Sequence, residues 1–355
     1  MQIHQFATSL SYGDAISNEM LEIQDVLRKK GYESEIFVNF YDPCMAKLRK
    51  YFKEYRKYSS PENIVIFHFS IGSPVSKMFF RLVDKKVMIY HNITPHEYFL
   101  DYHRILSKEC YKGRLEINFF INKVDLALGD SEFNRAELER VGYENTGVFP
   151  ILLDFSKFNQ GGNQPIHRIF SNGKYTILFV GRTIPNKKFE DVIKVYFFYK
   201  KFFNPGSQLI FVGDYRGMER YLFSLQDLVK RLDLSDVYFT GNVEFSELVS
   251  YFRAADVYLS MSEHEGFGVP ILESFYLRIP VIAFSAGAVK ETMNNGGILL
   301  HERDFIKTAA LLDKLHRDEY FKERIVDSQL KALEKYSREN VTRILLEHVE
   351  RMREK

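Results

Sequence analysis

The sequence predicts an α/β fold built as two doubly wound domains in tandem, and three observations carry that prediction. The chain has 355 residues, more than one hydrophobic core ordinarily serves, since single cores stop growing at about 250–300 residues. Short runs rich in Val, Ile and Phe alternate with longer amphipathic stretches along nearly the whole length, the pattern of parallel sheets covered by helices on both faces. Between residues 156 and 173 the alternation stops: SKFNQGGNQPIHRIFSNG carries paired glycines, a proline and no apolar periodicity, and reads as a linker.

In the first half the spacing predicts strands near Ile3–Phe6, Ser34–Val38, Ile64–Phe67, Val87–Tyr90, Leu126–Leu128 and Gly147–Phe149. In the second it predicts Thr176–Val180, Gln208–Val212, Val237–Phe239, Val257–Leu259, Val281–Phe284 and Ile298–Leu300, with helices in the intervals. From Asp318 onward the period is helical, and Ser337 is placed to cap the last helix. The expected division is a first domain over 1–155, the linker over 156–173, a second domain over 174–335, and a terminal helix over 336–355 returning towards the first domain. Ligands of doubly wound sheets bind at the carboxyl ends of the strands, so the cleft between two facing domains is the expected active site.

Composition removes several function classes. Apolar residues make up 45% and charged residues 27% of the chain, as in ordinary globular proteins. Forty-nine basic and 47 acidic residues leave a formal charge of +2, too balanced for nucleic acid to be the expected partner. Cys44 and Cys110 lack a CxxC spacing, so neither a disulfide framework nor a zinc site is expected, which fits a reducing compartment. The opening residues lack the basic start and apolar core of a secretory signal, and no run approaches the roughly 18 apolar residues of a membrane span. A cytoplasmic location follows as the expectation, with the inner face of the cell membrane as its variant. That variant comes from KLRKYFKEYRKY, Lys47 to Tyr58, where six basic residues interleave with Tyr51, Phe52, Tyr55 and Tyr58 at helical spacing. Two readings stand: a helix lying on anionic lipid, or a solvated basic helix whose aromatics face the core. The oligomeric state is not legible.

The strongest chemical signal is SEHEGFGVPILESF, Ser262 to Phe275. It follows a strand and opens a helix near Pro270, whose missing N–H costs nothing in a first helical turn. Gly266 and Gly268 let backbone approach a ligand, and Phe267 and Val269 complete the loop whose amides suit an anion or sugar hydroxyls. Glu265 is placed to accept hydrogen bonds from a sugar, Glu273 from a ribose diol. The second signal is LFVGRTIPNKKFEDVI, Leu178 to Ile193, where Arg182 and Lys187 lie between a strand and a helix. A helix start repels cations, so two of them there read as a diphosphate clamp rather than as idle surface charge. In SLSYGDAISNEM, Gly13 forms the first strand-to-helix turn, with Tyr12 and Asp14 beside it; a plain connection explains Gly13 almost as well. In VMIYHNITPHEYF a strand ends in His91. A lone histidine is more often structural than functional.

These motifs resemble those of family 4 of retaining glycosyltransferases, enzymes of the GT-B fold. Glu265 and Glu273 match its E-x7-E signature, and Arg182 and Lys187 match its G-R-x-x-x-x-K. The resemblance runs from Met1 to about Thr342 and implies transfer of a hexose from a nucleotide diphosphate sugar to a glycan or lipid-linked acceptor. It implies roles as well. Arg182 and Lys187 hold the diphosphate; Glu265 and the loop from Gly266 to Val269 orient the donor sugar; Glu273 meets the ribose. Gly241, Asn242 and Val243 lie by the base, Gly13 near the diphosphate, His91 towards the sugar, and Tyr12 and Asp14 on the acceptor side. IYHNITP and VGRTIPNK resemble a branch of surface polysaccharide mannosyltransferases, which points to GDP-mannose, with UDP-hexoses as the alternative. No D-x-D pair is placed for a divalent ion, so neither a metal nor another cofactor is expected. The sequence departs from the pattern at Leu277-Arg278-Ile279, where relatives have a small residue and glycine, and at Arg338, where an aromatic is usual. A dinucleotide oxidoreductase would need a G-x-G-x-x-G fingerprint that is absent. A GT-B nucleotide-sugar epimerase shares the architecture and stays open.

Overall fold

The computed structural model describes residues 1–354, and its backbone forms two parallel sheets, one in each of two units. The first unit comprises Met1–Glu97, Ile105–Asp154 and the chain from Lys335 onward; the second comprises Tyr98–Arg104 and Phe155–Glu334.

The first sheet contains β1 (Ile3–Leu10), β2 (Ile36–Tyr41), β3 (Lys50–Tyr51), β4 (Ile64–Phe69), β5 (Lys85–Tyr90), β6 (Leu126–Gly129) and β7 (Thr146–Val148), in the order β3-β2-β1-β4-β5-β6-β7. The second contains β8 (Tyr175–Val180), β9 (Ser207–Val212), β10 (Val237–Phe239), β11 (Val257–Ser260), β12 (Val281–Phe284) and β13 (Ile298–Leu300), in the order β10-β9-β8-β11-β12-β13. In each sheet the chain steps outward from its first strand and then returns to pair that strand's other edge. The reversal opens a crevice at the carboxyl ends of β1 and β4, and another at those of β8 and β11. Strands buried on both faces explain why unbroken apolar runs such as IVIFHF in β4 were readable as strands.

Two expectations change. Lys47–Tyr58 is not one helix: a 3₁₀ turn over Pro43–Leu48, the strand β3 and a second 3₁₀ turn over Phe52–Lys57 share it. Pairing of Lys50 and Tyr51 with Phe37 and Val38 interrupts the helical period. Phe52 and Tyr55 are buried; the Tyr55 ring meets Phe6 edge-on at 4.8 Å and its hydroxyl donates to Asp84 at 2.5 Å. These aromatics are core, and no amphipathic helix is left there to lie on lipid. The segment 156–173 is likewise more than a linker. Asn163 caps a helix over Gln164–Phe170, with Pro165 in its first turn, and Phe158 packs on Phe245 and Phe252. Gly162 passes so close to Ser250 that a Cβ there would lie 2.5 Å from the hydroxyl, which accounts for one of the paired glycines. Among the described residues no helix is long and apolar enough to cross a membrane.

The terminal helix, Arg338–Arg353, is capped by Ser337 and sends Val341, Leu345, Val349 and Met352 into the first unit's core beside Ile3, Ile23, Ile64 and Leu126. Arg338 reaches Glu22 at 2.9 Å and Asp25 at 2.8 Å, so the cation at this departure from the family pattern ties two helices together. Leu345→Ala should therefore cost the first unit about 2–5 kcal/mol by leaving a cavity. Denaturant unfolding followed by tryptophan probes introduced separately in each unit checks this; equal midpoints for variant and parent in the first unit would contradict it.

Candidate active site

The second unit brings its sequence-predicted residues together at the switch point of its sheet. Arg182 and Lys187 lie on the connection after β8, and Glu265 on the connection after the neighbouring strand β11. The Lys187 ammonium meets the Glu265 carboxylate at 2.5 Å, although 78 positions separate them in sequence. Both groups are largely shielded, with side chains 19% and 11% exposed. Arg182 is exposed, and its charge is among those that hold the Asp214 carboxyl below its usual range. Burial opposes that shift, and Arg216 is its largest favourable cause.

The geometry is held from both sides. The buried Asn186 side chain donates to the His264 carbonyl at 3.1 Å, and the Asn186 backbone carbonyl accepts from the Glu263 amide at 2.8 Å. The turn bearing Lys187 and the loop bearing Glu265 are thus stitched together directly. Thr292 donates to the Phe267 carbonyl at 2.6 Å, and the Ala288 amide to the Glu265 carbonyl at 3.0 Å. Gly287 has φ +57°, and a Cβ there would fall 2.2 Å from the Glu265 carbonyl oxygen. Only glycine allows that approach.

The helix over Val269–Tyr276 begins at Gly268, whose φ of +99° turns the chain into the first turn, with Pro270 inside it. Phe267 and Val269 are buried, while Gly266 and Gly268 are partly exposed. Glu273 sits one turn into this helix, where burial pushes its carboxyl up to about 7 and Lys157 pulls the other way. Gly241 follows β10 with φ +74° beneath the Tyr215 ring, while Asn242 is exposed and Val243 half-buried. Tyr215 is a ring against this turn that sequence reasoning did not single out.

In the first unit Gly13 has φ +77° with open space beside it. Asp14 is the cap of the helix Ala15–Lys29, accepting from the Ser17 amide at 2.9 Å; Tyr12 uses its amide to bond Asp42 at 2.8 Å. His91 is buried just beyond β5. Its Nε2 lies 3.0 Å from His68 Nδ1, and its Nδ1 faces Asp130 at 3.4 Å. Both ring nitrogens thus face groups of the first unit, Nε2 towards His68 and Nδ1 towards Asp130. Glu19, also buried, stands 3.5 Å from His68 and 3.6 Å from His91. Glu19, His68 and His91 are the described residues whose ligand atoms lie close enough together for a metal ion. Sequence reasoning missed Glu19 and His68; two histidines at the ends of adjacent strands were the available signal.

Comparison with known proteins bears on the second unit first. Residues 164–339 match the family described as "Glycosyl transferases group 1". The chain is 33% identical over 128 residues to the O-antigen chain mannosyltransferase RfbU of Salmonella typhimurium, covering 36% of this chain and 34% of that one. It is 23% identical over 272 residues to O-antigen chain mannosyltransferase B of Escherichia coli, covering 73% and 68%. Three curated relatives at 30–33% identity are spanned over only 34–42% of their own length. Among solved structures, Anabaena HepE in complex with UDP and glucose matches with a TM-score of 0.77 at 16% identity, over 99% of this chain and 100% of that one. Sucrose-phosphate synthase from Thermosynechococcus elongatus matches with the same score and identity, over 99% of each chain. The likeness to these structures is one of fold. Residues 164–339 thus carry a glycosyl transferases group 1 domain, and the two Rossmann-like sheets are those of the GT-B fold.

Proposed function

We propose that this chain is a retaining, metal-independent hexosyltransferase of surface polysaccharide assembly, taking its sugar from a nucleotide diphosphate donor and passing it to a glycan or lipid-linked acceptor. The observation that carries the reading is the Lys187–Glu265 pair at the β8/β11 switch point, the place where doubly wound sheets bind nucleotides. Without ligand the two charges satisfy each other. A diphosphate arriving beside Arg182 and Lys187 would take over the cation, leaving Glu265 to accept from the donor sugar's hydroxyls.

Two fixed cations meeting the negative charge that grows on the leaving diphosphate stabilise the transition state more than the ground state, the work a divalent ion does elsewhere. In the front-face course proposed, the bond from the anomeric carbon to the phosphate oxygen breaks as the acceptor oxygen bonds the same face. The departing phosphate oxygen takes the acceptor's proton. No side chain has to act as a strong base.

The O-antigen mannosyltransferase relatives favour GDP-mannose; HepE, solved with UDP-glucose, keeps a UDP-hexose as the alternative. Thermal-shift screening of GDP, UDP, ADP and dTDP in EDTA, followed by turnover of the matching sugar nucleotide, tests the reading. Nucleotide diphosphate released only when acceptor is present supports it; interconversion of the donor without acceptor would favour an epimerase, and stabilisation by no nucleotide would overturn both.

The Glu273 carboxyl supplies a pH prediction. A carboxylate that accepts two hydroxyl hydrogen bonds from a ribose must be ionised, and its pKa of about 7 lies in the working range. Nucleotide affinity should therefore rise as the pH goes from 6 to 8, and Glu273→Gln should bind more weakly and lose that rise. Isothermal titration across this range decides it; an unchanged slope in the variant would remove Glu273 from the ribose.

A further inference from the structure

The buried cluster of the first unit has more polar groups than a passive core requires, and its arrangement constrains where protons sit. His68 is the penultimate residue of β4 and His91 follows the adjacent strand β5. Their rings lie 7° from parallel with centroids 5.3 Å apart, and His68 Nδ1 is 3.0 Å from His91 Nε2. At that separation the rings are nearly coplanar and end to end, so the two inner nitrogens point at each other.

The outer nitrogens face acceptors. Gln5 donates its amide N–H to the Met20 carbonyl at 2.9 Å, which turns its oxygen to His68 Nε2 at 3.0 Å. The Asp130 carboxylate faces His91 Nδ1 at 3.4 Å. Each outer nitrogen must then carry a hydrogen, and a neutral imidazole has only one N–H. Two neutral rings would leave two lone pairs opposed at 3.0 Å. One additional proton between them turns that repulsion into a charge-assisted hydrogen bond.

We infer that His68 and His91 share one proton, held by Glu19 and Asp130, and that His68 and Glu19 are positioning residues for His91 and the turn that follows it. The positioning role rests on the glycosyl-transfer reading above; the proton does not. Glu19 is fully buried; its Oε1 accepts from the Leu152 amide at 3.3 Å, while Oε2 has only the two imidazoles beside it. A carboxylate so placed requires a cation. Asp14, at the start of the same helix, adds negative charge towards both rings.

At His68 burial depresses proton affinity more than Glu19 restores it. At His91 burial acts the same way, but Asp130 and Glu19 outweigh it and the pKa is raised. Burial also raises Asp130, to about 6, against the pull of His91. The pair thus takes one proton readily and refuses a second. A metal ion fits less well: at about 2.0–2.1 Å from each nitrogen it needs lone pairs that converge on one point, whereas these face each other. His91 in turn anchors Asn92, which adopts φ +67° and donates to Asn134 at 2.7 Å.

The sign of the pH dependence follows. The raised His91 contributes stability that is present below the unfolded value of 6.5 and lost as pH rises through its folded value. The lowered His68 removes stability as pH falls below 6.5, because the unfolded chain takes a proton that the folded one refuses. The first unit's stability should peak near neutrality.

The test is side-chain nitrogen NMR on the full chain with ¹⁵N-histidine, together with metal analysis of the purified protein. The expected result at pH 7 is one imidazolium proton on the His68–His91 pair, with protonated outer nitrogens on both rings. Two neutral rings at pH 7, or one tightly held zinc per chain after EDTA, would overturn the inference. Glu19→Gln should move loss of the shared proton down by at least one pH unit, about tenfold in proton affinity; no movement would also overturn it. If that variant does not fold, the parent spectrum decides alone. None of these readouts uses donor or acceptor, so failure here is separate from failure of the transferase reading.

Discussion

Lys187→Ala is expected to lower turnover about 10²–10³-fold, equivalent to about 2.7–4 kcal/mol of transition-state stabilisation, with a smaller change in donor affinity. The argument is electrostatic. The ammonium is largely removed from water and held 2.5 Å from Glu265, so its charge is fixed before the diphosphate begins to leave and needs no reorganisation during reaction. Because further negative charge grows on the leaving diphosphate in the transition state, the larger part of the loss belongs in kcat. Removing the lysine also leaves Glu265 partly buried without its cation, and that carboxylate would repel the departing phosphate. Lys187→Arg should recover part of the rate, since the charge returns in a different shape. Steady-state kinetics on the donor identified by nucleotide screening checks the outcome, and a loss under fivefold would remove Lys187 from the chemistry.

Gly287→Ala should be nearly as damaging, although residue 287 touches no proposed substrate group. A side chain in the left-handed region costs about 1–2 kcal/mol, and the new methyl would press on the Glu265 carbonyl oxygen at 2.2 Å and its amide at 3.1 Å. Backbone cannot give way as a flexible side chain can, so the carboxylate loop must shift. A displacement of about 1 Å at a positioned group can cost on the order of 10²-fold in rate. The expected signature is a melting temperature only a few degrees lower with turnover largely lost. Activity within twofold of the parent would show that Glu265 need not stay where the structure has it.

How much of this was legible in sequence depended on whether the signal was local. Strands of the parallel sheets were readable because burial on both faces leaves short unbroken apolar runs, and the Ser337 cap because it precedes a regular stripe ending at Met352. β3 was not: two residues, Lys50 and Tyr51, have no period of their own and gain strand geometry only by pairing with β2. The aromatics from Tyr51 to Tyr58 happened to match helical spacing while Phe52 and Tyr55 are buried, Tyr55 against Phe6 and Phe37. The helix at Gln164 was masked by the glycines before it, although Asn163 and Pro165 are a usual helix start.

The site divides the same way. Arg182, Lys187, Glu265 and Glu273 were proposed because each lies in a contiguous motif; that Lys187 and Glu265 pair was not readable, since only the strand order β9-β8-β11 makes their loops neighbours. His91 was singled out, but its chemistry was not readable. Glu19, His68 and Asp130 lie far apart in the chain, and only the fold brings them around its ring.

The most direct test of the transferase account is a crystal structure of the chain soaked with the nucleoside diphosphate that stabilises it best, in the presence of EDTA. The account predicts the β-phosphate against Lys187 and Arg182, the Lys187–Glu265 contact opened, and the ribose hydroxyls on Glu273. A nucleotide bound away from the β8/β11 crevice, or one that enters only when a divalent ion is restored and bridges its phosphates, would contradict it.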